Sequence, residues 1–131
     1  MKTNNNWEVW HELTWTEFEL HSAIFGTLRK NLYPEYLVRG EYVFITKDNI
    51  QLRPDIAIFL PKQGKPAELK LIIEIKAEHA LSQSPLNQQQ IAKYEENLQV
   101  PVILAQGKAG LKGIVSRVLE ALSEDSSRIR S

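Results

Sequence analysis

Apolar residues return every three or four positions early in the chain, at Phe18, Leu20, Ile24, Phe25, Leu28 and Leu32. This period predicts an amphipathic helix from about Thr16, with Thr14 or Thr16 available as its N-cap. Past Pro34 the pattern changes. Val, Tyr, Phe and Ile crowd residues 36–46, the polar triplet Lys47-Asp48-Asn49 interrupts them, and a second apolar run fills residues 50–60, which together predict a long β-hairpin. The stretch from Pro61 to Pro66 is a second reversal, after which residues 69–76 form a third antiparallel strand with a continuous apolar middle. Ser84-Pro85 pairs a capping residue with a first-turn proline, so a helix is expected to run through Ile91 and Tyr94 to Leu98. Residues 100–105 read as a short buried strand, and Leu111, Ile114, Val115, Val118 and Leu122 mark a final amphipathic helix. The predicted order is α-β-β-β-α-β-α, an α/β fold with a mixed four-stranded sheet flanked by helices.

A chain of 131 residues has room for one core, which excludes a two-domain enzyme or a repeat array. The expected organisation is an N-terminal extension at residues 1–15, a domain at 16–123 and a polar tail at 124–131, with both ends frayed. Trp7, Trp10 and Trp15 are expected to pack as a small satellite cluster rather than to stack on bases. Sixteen basic side chains balance sixteen acidic ones, so any affinity for a polyanion must be local. The apolar runs are too short to span a bilayer and residues 1–6 lack a hydrophobic signal region, so the expectation is a cytoplasmic protein with no membrane partner. With no cysteine there is no disulfide, no thiolate zinc site and no cysteine nucleophile. Chemistry falls to carboxylates, lysines, histidines and hydroxyls.

Charges interrupt two of the apolar strands. Asp55 opens Asp55-Ile56-Ala57-Ile58-Phe59 after Pro54, and Glu74 and Lys76 close Leu71-Ile72-Ile73-Glu74-Ile75-Lys76. Side chains alternate along a strand, so Glu74 and Lys76 share one face while Ile73 and Ile75 share the other. If these strands pair, Asp55 lies beside Glu74, and two neighbouring carboxylates require a cation or a proton between them. Mg²⁺ suits such a pair, because it accepts a few carboxylate oxygens, keeps several waters and completes its shell on phosphate oxygens. Lys76 would then position or help deprotonate an attacking water and neutralise charge growing on the phosphate. The bland reading leaves Glu74 and Lys76 on the wet face of a strand and Asp55 in a turn; it is the combination of both elements that favours chemistry.

Pro54-Asp55 followed by Glu74-Ile75-Lys76, in this order of elements, resembles the PD-(D/E)XK nuclease superfamily over about residues 16–121. The likeness is greater to the N-terminal nuclease domain of type I restriction enzyme R subunits, whose two motifs are followed by a helix bearing Gln-x-x-x-Tyr, here Gln90-Ile91-Ala92-Lys93-Tyr94. The resemblance implies a restriction-endonuclease-like core and an Mg²⁺- or Mn²⁺-dependent deoxyribonuclease, an endonuclease of restriction or defence type. Asp55 and Glu74 would be metal ligands, Lys76 the catalytic lysine, and Gln90 and Tyr94 contacts to substrate. DNA is the implied partner; motor or specificity subunits and a second copy of the chain are left open, since no Gly-x-x-x-x-Gly-Lys-Ser/Thr phosphate loop exists here.

Many members of that superfamily add a glutamate from the first helix near the metal. Glu17 falls within the stripe of Leu20, Ile24, Phe25 and Leu28, whereas Glu19 falls on the opposite face, so Glu17 is the candidate third metal-site residue. Both acids also fit a capping box, Glu17 with Thr14 and Glu19 with Thr16. Tyr94 and Gln90, four residues apart, share a helix face, and Tyr94 has the alternative of packing its ring on the sheet with its hydroxyl in water. His11, His21 and His79 lack metal-ligand spacing; His21 reads as a packed, hydrogen-bonded histidine beside Glu17, and His79 follows the third strand. Arg29, Lys30, Arg39, Arg53, Lys76 and Lys93 are candidate phosphate contacts, and Lys108 and Lys112 flank the stretch from Gly107 to Gly113. The rival to the nuclease is a non-catalytic nucleic-acid-binding or assembly module that keeps the fold, which the neutral charge favours slightly.

Overall fold

A computed structural model describes residues 15–77 and 85–130. Its elements run α1 (Glu17–Leu32), β1 (Leu37–Gly40), β2 (Phe44–Ile45), β3 (Gln51–Leu52), β4 (Ile56–Lys62), β5 (Lys65–Lys76), α2 (Pro85–Leu98), β6 (Val102–Gln106), α3 (Gly107–Leu111) and α4 (Ile114–Arg130). Strands β1, β4, β5 and β6 form one sheet in that order. Neighbours are antiparallel except β5 and β6, which are parallel and joined through α2, so the sheet is mixed and flanked by helices. No helix among the described residues is long and apolar enough to cross a membrane.

Helix α1 starts where its capping chemistry dictates. The Thr16 hydroxyl accepts from the Glu19 N–H at 3.1 Å, and the Glu19 carboxylate accepts from the Thr16 N–H at 2.8 Å. Two orphan donors are thereby satisfied. These bonds, the one from the Thr16 backbone first, hold the Glu19 carboxyl below its ordinary range. The stripe Leu20, Ile24, Leu28 and Leu32 is buried against one face of the sheet, where Ile56, Ile58, Leu71, Ile73 and Ile75 complete the main core with Ile114 and Val118 of α4. Each such side chain contributes roughly 1.5–3 kcal/mol by leaving water. The opposite face of the sheet carries a smaller cluster, in which Leu52, Ile72 and Tyr94 of α2 meet.

Several expectations are corrected. Phe18 is not in the core: at 79% exposure it stands off the buried stripe, because the 100° step that aligns Leu20 with Ile24 rotates position 18 toward water. The long hairpin of residues 36–60 divides. Its base pairs β1 with β4 in the main sheet, while its tip forms a separate two-stranded sheet, β2 with β3. The break falls where Pro54 has no N–H for a ladder and Glu41 takes a left-handed conformation (φ 50°). Strand β5 begins at Lys65 rather than at 69, since Gly64 (φ 71°) permits a tight reversal that pairs Lys62 with Lys65. The single final helix becomes two, divided at Lys112-Gly113 with Gly113 at φ 74°. Its second part continues to Arg130, through the stretch expected as a tail. Trp15 packs at the edge of the main core with Lys108 above its ring at 5.8 Å; Trp7 and Trp10 lie outside the described residues.

Two glycines give opposite expectations. A Cβ on Gly110 would stand 2.6 Å from the carbonyl carbon of Ala105, at the point where α3 turns back on β6. Gly110→Ala should therefore destabilise by about 1–3 kcal/mol through forced backbone displacement. A Cβ on Gly26, within α1, meets nothing within 4 Å. Gly26→Ala should stabilise by about 0.5–1 kcal/mol by lowering the entropy cost of helix formation. Urea denaturation should show shifts of opposite sign; equal shifts would contradict the close approach at Gly110.

Candidate active site

The register of β4 against β5 pairs Ile56 with Ile73. One step beyond that pair, just before β4 begins, Asp55 comes beside Glu74, close enough for its charge to act on the Glu74 carboxyl. Each acid is tied to the backbone of the other strand. The Asp55 N–H donates to Glu74 Oε1 at 3.2 Å, and the Ile75 N–H donates to Asp55 Oδ2 at 2.7 Å. The Asp55 carbonyl accepts from the Glu41 N–H at 2.9 Å, which anchors the aspartate to the end of β1 as well. Lys76, two residues beyond Glu74 and half-buried, lies on the same face and acts electrostatically on the Glu74 carboxylate.

Glu74 is only 4% exposed. Burial, and then the charge of Asp55 beside it, pushes its carboxyl up to about 7, against the opposing pull of the Asp55 N–H, Lys76 and the Tyr94 hydroxyl. Tyr94, itself buried, donates to Glu74, and its own hydroxyl is pushed up to about 12 by burial and by the Glu74 charge. Gln90 Nε2 in turn donates to the Tyr94 hydroxyl at 3.2 Å. The pair on α2 thus extends as a hydrogen-bonded chain, Gln90 to Tyr94 to Glu74, and the alternative with the Tyr94 hydroxyl in water is not what the structure holds. Tyr94 reaches Glu74 because β5 and α2 lie face to face across Ile72 and Leu52.

Two openings flank the acid pair. On the α1 side a cleft of about 520 Å³ is lined by Glu17, Phe18, His21, Phe25, Glu41 and Asp55. On the α2 side a groove of about 520 Å³ is lined by Leu52, Arg53, Gln89, Gln90, Lys93 and Tyr94. Asp55 therefore faces one opening, and Tyr94, bonded to Glu74, walls the other. Glu17 shares the α1 cleft with Asp55, while Glu19 is taken by the helix cap. His21 is half-buried and lines the same cleft as Glu17. His11 and His79 lie outside the described residues. Glu41 is not singled out by the sequence pattern; its one signal is the polar Arg39-Gly40-Glu41 step that interrupts the apolar residues 36–46. Of the candidate cations, Arg53 and Lys93 meet in the groove, whereas Arg29 and Lys30 occupy the last turn of α1.

A divalent ion fits the donor set of the acid pair. A buried carboxylate raised by a second carboxylate is an environment that a cation relieves, and Mg²⁺ requires only one or two carboxylates with water and phosphate oxygens for the rest. Among the described residues no three His, Asp or Glu side chains gather into one metal-holding group; Glu17 is placed in the cleft that Asp55 also lines. No family model, curated protein or solved structure matches this chain.

Proposed function

We propose that this protein is a metal-dependent nuclease of the PD-(D/E)XK type, hydrolysing DNA phosphodiester bonds as an endonuclease of restriction or defence type. The observation that carries the reading is the opposition of Asp55 and Glu74 across β4 and β5, with Lys76 on the same face. An α1 helix before the hairpin and an α2 crossover after β5 agree with a restriction-endonuclease-like order, the β2–β3 tip being an insertion in it.

Asp55 and Glu74 would hold Mg²⁺ or Mn²⁺, which when bound supplies charge neutralisation on the scissile phosphate and a more acidic water. Tyr94, with Gln90 behind it, fixes the Glu74 carboxylate by a donated hydrogen bond. The Ile75 N–H does the same for Asp55. Lys76 orients the attacking water and offsets negative charge developing on the non-bridging phosphate oxygens. Water oxygen bonds to phosphorus as the bond to the 3′ oxygen breaks, the water proton leaves, and the departing oxygen gains one. The products carry a 5′-phosphate and a 3′-hydroxyl.

Purified protein incubated with supercoiled plasmid and Mg²⁺ or Mn²⁺ is expected to nick or linearise it, and Asp55→Asn is expected not to. Equal cleavage by both proteins would assign the activity to a contaminant and end the enzyme reading. Binding of DNA without cleavage would favour a non-catalytic module on the same fold.

A further inference from the structure

The two openings beside the acid pair carry opposite charge. Glu17, Glu41 and Asp55 line the α1 cleft, while Arg53 and Lys93 line the groove on the α2 side among the amides of Gln51, Gln89 and Gln90. In a chain with zero formal net charge this segregation is a local property of the site. The groove adjoins the acids without being lined by them: Tyr94 forms part of its wall and donates to Glu74, and Arg53 precedes Asp55 by two residues.

We propose that this groove binds the backbone phosphates of a DNA strand, with Arg53 and Lys93 each taking a phosphate beside the one presented to Asp55 and Glu74. The chemistry matches on three counts. The Arg53 guanidinium offers a planar fork to phosphate oxygens and Lys93 a compact point charge. The glutamine amides are neutral donors suited to positioning a backbone without reading its bases. Away from the ion that Asp55 would help hold, Glu17 and Glu41 disfavour phosphate in the α1 cleft, so the flanking strand is directed along the α2 side of the site. The assignment rests on the nuclease reading for what happens at Asp55 and Glu74, and on shape and charge for the groove itself.

The test is fluorescence anisotropy of the full chain with a labelled single-stranded DNA oligonucleotide and, separately, its duplex, in EDTA to prevent turnover. Titrations over roughly 50–200 mM KCl define the slope of log affinity against log salt. Arg53→Gln and Lys93→Gln are each expected to reduce that slope by about 0.7 on the single strand and about 0.9 on the duplex, and to weaken binding on the order of five- to eight-fold at about 0.1 M salt. Lys65→Gln, exposed at the start of β5 and far along that strand from Glu74, should leave the slope unchanged. Thermal melting of each variant separates lost contacts from lost folding. Wild-type slopes in both groove variants, an equal drop in Lys65→Gln, or no DNA binding by the wild type would each overturn the proposal. Groove-dependent binding without plasmid cleavage would overturn the nuclease reading alone; cleavage with unaltered slopes would overturn the groove alone.

Discussion

Glu74→Gln is expected to raise the unfolding free energy of the metal-free protein by about 3 kcal/mol at about pH 8 and to leave it nearly unchanged at about pH 4. The Glu74 carboxyl is pushed from its ordinary 4.5 up to about 7, first by burial and then by the Asp55 charge. The folded protein therefore holds a proton that the unfolded chain has already released. Stability is fullest below the unfolded value of about 4.5, falls as pH rises toward the folded value, and stays low above about 7. A glutamine keeps an acceptor for the Asp55 N–H and the Tyr94 hydroxyl but carries no charge to desolvate. Urea denaturation of both proteins across this pH range provides the check. A gap between them that does not vary with pH would contradict the buried, like-charge environment. The same linkage makes Mn²⁺ binding release a proton below pH 7, so calorimetric affinity should climb with pH and level off above about 7.

Lys76→Ala is expected to lower Mn²⁺-dependent plasmid cleavage on the order of 100- to 1000-fold while leaving the heat of Mn²⁺ binding in place. Lys76 lies on the face of β5 that carries Glu74, near enough to pull on its titration, yet an ammonium contributes nothing as a ligand to a cation. In the proposed reaction its part would be charge on the reacting phosphate and orientation of water, which would appear in the rate. Glu74→Gln, by contrast, should abolish the binding heat together with cleavage. Wild-type cleavage by Lys76→Ala would remove the lysine from the mechanism, and loss of the heat in that variant would make it a structural prop of the acid pair.

The alternation Ile73, Glu74, Ile75, Lys76 already separates two faces in the chain, and the structure divides them as the period requires, the isoleucines to the α1 core and Glu74 toward Tyr94. The four-residue spacing of Gln90 and Tyr94 likewise survives as a hydrogen bond on α2. Glu17 and Glu19 are not distinguished by local spacing. Both fit a cap by spacing alone, and only the Thr16–Glu19 reciprocal bonds decide between them. Phe18 counts with the apolar residues of α1 in the chain, because an apolar side chain beside a buried stripe looks the same there whether it packs or lines a cleft mouth.

Local periodicity and turn chemistry settle which segments are helix or strand and which face of each is apolar, since those follow from interactions a few residues apart. Partners distant in the chain are another matter. The division of the hairpin into two sheets, the contact of Glu41 with the Asp55 carbonyl, and the sorting of acids to one opening and of Arg53 and Lys93 to the other come from packing between segments. Nineteen positions separate Asp55 from Glu74, and twenty separate Glu74 from Tyr94. Their couplings exist because β4, β5 and α2 bury shared apolar surface, and that burial brings the polar groups along with it.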